Sequence, residues 1–247
     1  MRFSVVIPAF NEGNRIAATL ETVTAFFSAR GPDFEVLVCE DGSADDTVAC
    51  VQRAAKADAR VRLLTVPRNE GKGAAVRRGV LASSGERILV TDADLSTPLS
   101  EISKLEAALD SGNDIAIGSR AAAGARLVKR QPLVRELAGR AGNLVIRLLC
   151  PGLWDIRDTQ CGFKLFAREA AMDLFPLQRL QRFGFDVEVL HLARRAGFRI
   201  AEIPVTWAHG EGSKVKPRDY VYTVVEVGRI RAFQAAGRYG KPKRKGT

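Results

Sequence analysis

The chain has little of what builds a histidine- or cysteine-based metal centre: two histidines and four cysteines among 247 residues. Cys39, Cys50, Cys150 and Cys161 form no Cys-x-x-Cys pair and have no histidine at ligand spacing, so reduced structural thiols are expected. No stretch reaches the ~20 uninterrupted apolar residues of a membrane span. Even the apolar run after Asn143 is broken by Arg147 and then by Pro151-Gly152. The opening residues Met1 to Pro8 carry an apolar run too short for a signal peptide and no small-residue cleavage site, so a cytoplasmic location is expected. There is no GxxxxGK[ST] and no GxGxxG after a strand, which excludes a Walker loop and a dinucleotide fingerprint. The basic stretch Ser119 to Gln131 contains no aromatic residue on which bases could stack, which argues against a nucleic-acid-binding module.

What is present suffices for one core. With 46% hydrophobic residues, a single unit over 1–236 is expected, followed by a basic flexible tail over 237–247 that contains Lys241-Pro242-Lys243-Arg244-Lys245. A net charge of +10 implies attraction to something anionic: nucleic acid, a phosphorylated substrate or an acidic bilayer.

Strand patterns alternate with amphipathic helical ones through the first half, the signature of βαβ units around a largely parallel sheet. Strands are expected at Phe3 to Pro8, Phe34 to Cys39, Val61 to Val66, Arg87 to Thr91 and Asp114 to Gly118. The helix of Ile16, Leu20, Val23, Phe26 and Phe27 ends at Gly31-Pro32. Others begin near Asp46 and span Lys72 to Ala82 and Leu99 to Leu109. Ser119 to Gln131 reads as a mobile loop over the site. Leu133 to Leu149 reads as a basic amphipathic helix, either lying on a membrane surface or packed on the core with its basic face solvated. A short strand at Gly162 to Phe166, a helix at Phe185 to Ala196, a strand at Ile200 to Trp207 and a helix after Pro217 complete the pattern.

In open α/β sheets ligands bind beyond the carboxyl ends of the strands. Three such ends carry acidic residues: Pro8-Ala9-Phe10-Asn11-Glu12, Glu40-Asp41-Gly42-Ser43 and Asp92-Ala93-Asp94. Clustered carboxylates repel one another unless a cation or a hydrogen-bonding ligand sits among them. Mg2+ or Mn2+ suits oxygen ligands and would bridge a diphosphate. An acidic turn that caps the helix after Ser96-Thr97-Pro98 is the other reading of Asp92 and Asp94.

Those three segments, together with Asn69-Glu70-Gly71-Lys72-Gly73 and Asp158-Thr159-Gln160-Cys161-Gly162-Phe163-Lys164, resemble the family 2 glycosyltransferases of the GT-A fold. Within that family the chain is most similar to the dolichyl- or polyprenyl-phosphate β-glucosyltransferases. The resemblance implies a Rossmann-like α/β fold for a nucleotide-diphospho-sugar transferase, with a mostly parallel central sheet flanked by helices. It implies that Pro8, Ala9 and Glu12 line the nucleoside pocket, that Asp41 hydrogen-bonds the pyrimidine, and that Lys72 lies near the nucleotide. Asp92, with Ala93 beside it, would contact the ribose or base, and Asp94 would coordinate the metal. Asp158 would face the acceptor, as base or as orienting group, and Lys214, in Gly212-Ser213-Lys214, would balance diphosphate charge.

Arg120, Arg126 and Arg130 either offer planar forks matched to an acceptor phosphate or belong to a merely solvated basic loop. Asp186 and Glu188 are either acceptor-side groups or an acidic first helical turn, with Glu188 favoured as structural. His191 lies in an apolar helical pattern and reads as a core or edge residue, whereas His209 stays open. The resemblance implies inverting transfer of glucose from UDP-glucose to dolichyl or polyprenyl phosphate, and the positive charge fits an anionic membrane surface. The rivals are a GDP-mannose donor, a soluble acceptor, and a nucleotidyltransferase. The last would need a glycine- and arginine-rich loop where this chain has Ala9-Phe10-Asn11-Glu12.

Overall fold

A computed structural model describes residues 2–129, 146–208 and 217–240. The first strand, β1 (Phe3–Ala9), is buried along nearly its whole length, as expected for a strand covered on both faces. It is followed by α1 (Ile16–Ser28), β2 (Phe34–Glu40), α2 (Thr47–Ala57), β3 (Val61–Leu64), α3 (Lys72–Ala82), β4 (Arg87–Thr91), α4 (Ile102–Asp110) and β5 (Ile115–Ser119). Then come β6 (Arg126–Lys129), β7 (Phe163–Ala167), α5 (Arg168–Leu174), α6 (Phe185–Ala196), β8 (Ile200–Pro204), β9 (Thr206–Ala208) and α7 (Pro217–Ala235).

Seven strands form one sheet in the order β3-β2-β1-β4-β7-β5-β8, and β6 pairs with β9 in a second, two-stranded sheet. Every strand of the large sheet runs the same way except β7, which is antiparallel to both β4 and β5. That reversal positions the site. The start of β7, with Phe163 opposite Thr91, reaches the same edge as the ends of β1, β2 and β4, so the segment leading into it arrives beside them. Helices cover both faces, and the sheet divides two apolar cores. One gathers Phe3, Val5, Ile7, Leu20, Phe27, Val36 and Leu89; the other gathers Val6, Leu37, Val90, Ile117, Phe166, Phe185 and Leu190.

Four expectations change. Within the stretch expected as a mobile loop, Arg126–Lys129 forms a strand that pairs with β9. The strand expected over Ile200 to Trp207 is two strands in different sheets. Val205 makes the crossing, donating to Ser119 O at 3.2 Å and accepting from Arg126 N at 3.2 Å. A helix follows β7 at Arg168–Leu174, where none was expected. The packed unit also runs past 236: Tyr239 is 7% exposed and gives its hydroxyl proton to Glu188. Of the helix expected over 133–149, only 146–149 are described, and they are helical. The basic tail over 241–247 lies outside the described residues.

Candidate active site

The ends of β1 and β2 are stitched together by side chain to backbone bonds. Asn11 N donates to Ser43 Oγ at 2.8 Å, Ala44 N donates to Asn11 Oδ1 at 2.9 Å, and Glu12 N donates to Thr47 Oγ1 at 2.7 Å. Asn11 has φ 53 and Leu95, just past β4, has φ 46. Left-handed backbone at a residue with a Cβ costs roughly 1–2 kcal/mol. Among the described residues these are the two non-glycine cases, and both lie in strand-end loops at this edge.

Pro8 and Ala9 close β1, and Ala9 O accepts from Asp41 N at 2.9 Å. Glu12 pairs with Arg15 at 2.9 Å. Asp41 is buried, and its two oxygens accept from Glu70 N at 3.0 Å and Gly71 N at 2.7 Å. The carboxylate thus holds the loop that leads into α3. Gly71 has φ 111, and a Cβ there would lie 2.5 Å from Gln181 O, so the loop can close only with glycine at that position. The next residue, Lys72, opens α3 and reaches Asp92 with Nζ 2.6 Å from Oδ1. Burial pulls the Lys72 ammonium down, but Asp92, Asp186 and Asp94 outweigh it and hold its pKa above the ordinary lysine value.

Beyond β4 the chain is fixed by Thr19 Oγ1, which donates to the Ala93 carbonyl at 2.6 Å. Asp92 points into the site and Ala93 away from it into the core. Asp94 is exposed, and its Oδ1 accepts from Ser96 N at 2.9 Å. Among the described residues no three His, Cys, Asp or Glu side chains converge as a metal cage. The donor set here, an exposed carboxylate beside a half-buried one, fits Mg2+ or Mn2+ completed by diphosphate oxygens and water rather than by protein alone.

On the other side of Asp92 lies the segment that feeds β7. Asp158 is 2% exposed. Its Oδ2 accepts from Arg120 N at 3.0 Å and Arg120 Nε at 2.7 Å, and its Oδ1 from Arg120 Nη2 at 2.8 Å and Gln160 N at 3.2 Å. Burial alone would raise the carboxyl pKa, and the Arg120 guanidinium more than reverses this, leaving it below the usual carboxylate range. Burial likewise works against the Arg120 charge, yet Asp158 drives its pKa up. Arg126 is exposed on β6. Arg130, Lys214 and His209 lie outside the described residues.

A model of the family described as "Glycosyl transferase family 2" matches residues 4–175. The chain belongs to this family. Among its relatives, a dolichyl-phosphate beta-glucosyltransferase of Trichomonas vaginalis is 40% identical over 243 residues, covering 94% of this chain and 71% of the relative. The Homo sapiens dolichyl-phosphate beta-glucosyltransferase is 38% identical over 229 residues, covering 87% and 70%. A crystal structure of glucosyl-3-phosphoglycerate synthase from Mycobacterium tuberculosis, with Mn2+, UDP-glucose and glycerol 3-phosphate, superposes with TM-score 0.67 at 22% identity. It covers 96% of this chain and 80% of that one, and establishes the GT-A fold. The protein is thus a family 2 glycosyltransferase, and its acidic residues gather at the carboxyl ends of the parallel strands of that fold.

Sequence reasoning left three parts of this family 2 site without a role. Gly162 lies against Asp92: a Cβ there would stand 1.9 Å from Asp92 Oδ2. Glu202, on β8, accepts from Arg157 N at 2.9 Å and Asp158 N at 2.7 Å and fastens the segment that feeds β7 to the sheet. Lys164 is 3% exposed and paired with Asp186. The signal for Lys164 was a lysine in the otherwise apolar strand Phe163–Ala167. Glu188 braces the fold, accepting from Arg179 N, Leu180 N and Tyr239 Oη. His191 is buried against Gln234, with Nε2 2.8 Å from Oε1.

Proposed function

We propose that this family 2 enzyme transfers glucose from UDP-glucose to a polyprenyl or dolichyl phosphate, with inversion, at an anionic membrane surface. The observation that carries the acceptor class is the engagement of Asp158. A hydroxyl acceptor needs a general base in reach with a pKa near the operating pH. Asp158 accepts four N–H bonds and is held below the usual carboxylate range, so it makes a poor base. A phosphomonoester, with a second pKa near ~6, brings its own anionic oxygen and needs none. The names of the relatives, dolichyl-phosphate beta-glucosyltransferases at 38–40% identity, support the same acceptor and a glucosyl donor.

In this reading Asp158 orients Arg120, whose guanidinium would meet an acceptor oxygen, and Arg126 and Arg130 add charge. Pro8, Ala9 and Glu12 line the nucleoside pocket. Asp41 shapes that pocket through the Glu70-Gly71 loop and offers its remaining lone pairs to the base. Lys72 and Asp92 meet the nucleotide, and Lys214 balances diphosphate charge. Mg2+ or Mn2+ held at Asp94 would neutralise charge on the departing diphosphate. Displacement then needs in-line placement and charge stabilisation, with no covalent intermediate.

Among the described residues no helix is long and apolar enough to cross a membrane. Exposed Val128 beside Arg126 on β6, exposed Trp154, and the net charge support contact with a lipid surface. The test is incubation with labelled UDP-glucose, polyprenyl phosphate and magnesium, followed by organic extraction. Label in the organic phase is expected. Label confined to water-soluble product overturns the lipid acceptor, and label transfer only from GDP-mannose overturns the donor.

A further inference from the structure

Lys164 occupies a position that the fold reserves for apolar side chains. Along β7, Phe163 and Leu165 face one core, while Lys164 and Phe166 face the other. Lys164 and Asp186 share a small cleft with apolar Val90, Phe166, Phe175, Phe185, Val189 and Leu190. In those surroundings Nζ donates to Asp186 Oδ1 and to the Cys161 carbonyl, each at 2.5 Å. Asp186 is itself 6% exposed, in the first turn of α6. Such a pair is a poor stabiliser, since desolvating two charges cancels most of their attraction and apolar replacements are often neutral or better. Its use must lie in what it holds.

The geometry gives a short chain of contacts. Lys164 fixes the Cys161 carbonyl, and the next residue, Gly162, is in van der Waals contact with the Asp92 carboxylate, with no room for a Cβ. Asp92 in turn meets Lys72. We propose that Lys164 is a positioning residue for the donor site: through Cys161 and Gly162 it sets the Asp92 carboxylate, and Asp186 is the counter-charge that keeps its ammonium there. The two lysines also share a field, because Asp186 acts on both Lys72 and Lys164. The proposal rests on the reading of Asp92 as a nucleotide contact.

The test removes both buried charges together, in Lys164→Met/Asp186→Leu, and reads melting temperature and UDP affinity by calorimetry with manganese present. The double variant should melt at or above the parent temperature and bind UDP about tenfold more weakly or worse, the size typical of lost supporting contacts around a ligand site. In an Asp92→Asn background the same two substitutions should cost no further affinity, a non-additivity that a purely structural pair would not produce. A stable double variant with parental affinity overturns the proposal, as does full additivity with Asp92→Asn. Should the double variant not fold, Gly162→Ala keeps the pair and displaces Asp92 directly. It should weaken UDP binding to a similar degree, and parental affinity there also overturns the proposal. A parent that binds no UDP overturns the donor reading itself, and this role with it.

Discussion

Asp92 and Asp94 stand two residues apart at the end of one strand, and their surroundings separate their work. Asp92 is half-buried, flanked by Lys72 and Gly162, while Asp94 is exposed beyond the turn. Asp94→Asn is therefore expected to abolish metal-dependent turnover while moving the melting temperature by no more than about 2 °C, as for a surface substitution. A titration of activity against Mn2+ beside a thermal melt checks both halves. Asp158 is the opposite case. Asp158→Asn leaves the Arg120 guanidinium without its counter-charge, and breaking such a pair costs roughly 3–5 kcal/mol. The low end applies, about 3 kcal/mol, because the Arg120 side chain is 30% exposed. The pH dependence follows from the lowered carboxyl. Its contribution is fully present above the ordinary carboxylate pKa of ~3.9 and is lost as pH falls through the folded value below that. Asp186 has the opposite sign: burial, against Lys164 and Lys72, raises its carboxyl, so its cost is relieved in acid. Urea unfolding at neutral and acid pH should show the Asp158→Asn deficit large at neutral pH and shrinking in acid. A deficit independent of pH would remove the ion pair from the account. At this scale the sequence identified which side chains are acidic and where the strands end. It could not pair Arg120 with Asp158, 38 residues apart, because that contact depends on the direction of β7.

The elements were legible where burial imposes a period. β1, β2 and β4 are apolar runs bounded by turns, and α1 and α3 carry their core residues at helical spacing, so their limits fall within a few residues of the structure. β6 escaped because it is a four-residue strand pairing with a three-residue neighbour, and its exposed Arg126, Leu127 and Val128 set no burial pattern. β8 and β9 read as one strand because Val205 continues the apolar alternation while its hydrogen bonds change sheets. Residues after 236 read as a flexible tail for a related reason: the polar stretch there hides one anchoring tyrosine. Tyr239 Oη donates to Glu188 Oε1 at 2.6 Å, and Arg179 Nε donates to Arg238 O at 2.9 Å. A hydrogen bond to a charged acceptor is worth roughly 1.5–3 kcal/mol. Tyr239→Phe should therefore lose about 1.5 kcal/mol in urea, the low end because Glu188 keeps two backbone donors. Amide exchange should accelerate at 236–240 before it changes in α6. Uniform acceleration through α6 would mean that the tyrosine supports the whole core rather than one docking end.

Across the whole molecule the open question is what the excess of ten positive charges serves. Among the described residues, buried Lys164 is matched by Asp186 and part-buried Arg120 by Asp158, so neither supplies charge that acts at a distance. A lysine or arginine near an anionic leaflet contributes about 1 kcal/mol, and the effect falls off within a Debye length, about 10 Å at 0.1 M salt and about 3 Å at 1 M. A few such residues presented on one face would hold the enzyme where a lipid phosphate resides, and dispersed ones would not. Sedimentation with vesicles should therefore show binding when an anionic lipid is present, loss of most of it at high salt, and little binding to neutral vesicles. Binding that survives high salt would shift the weight to exposed apolar side chains such as Val128 and Trp154. Val128→Asp should then be the variant that releases the protein. Absence of binding to any vesicle, with UDP affinity intact, would remove the membrane surface from the reading while leaving the donor site standing. The two halves of the proposed function depend on different parts of the molecule: the donor half on the strand ends around Asp92, the lipid half on surface charge and on β6.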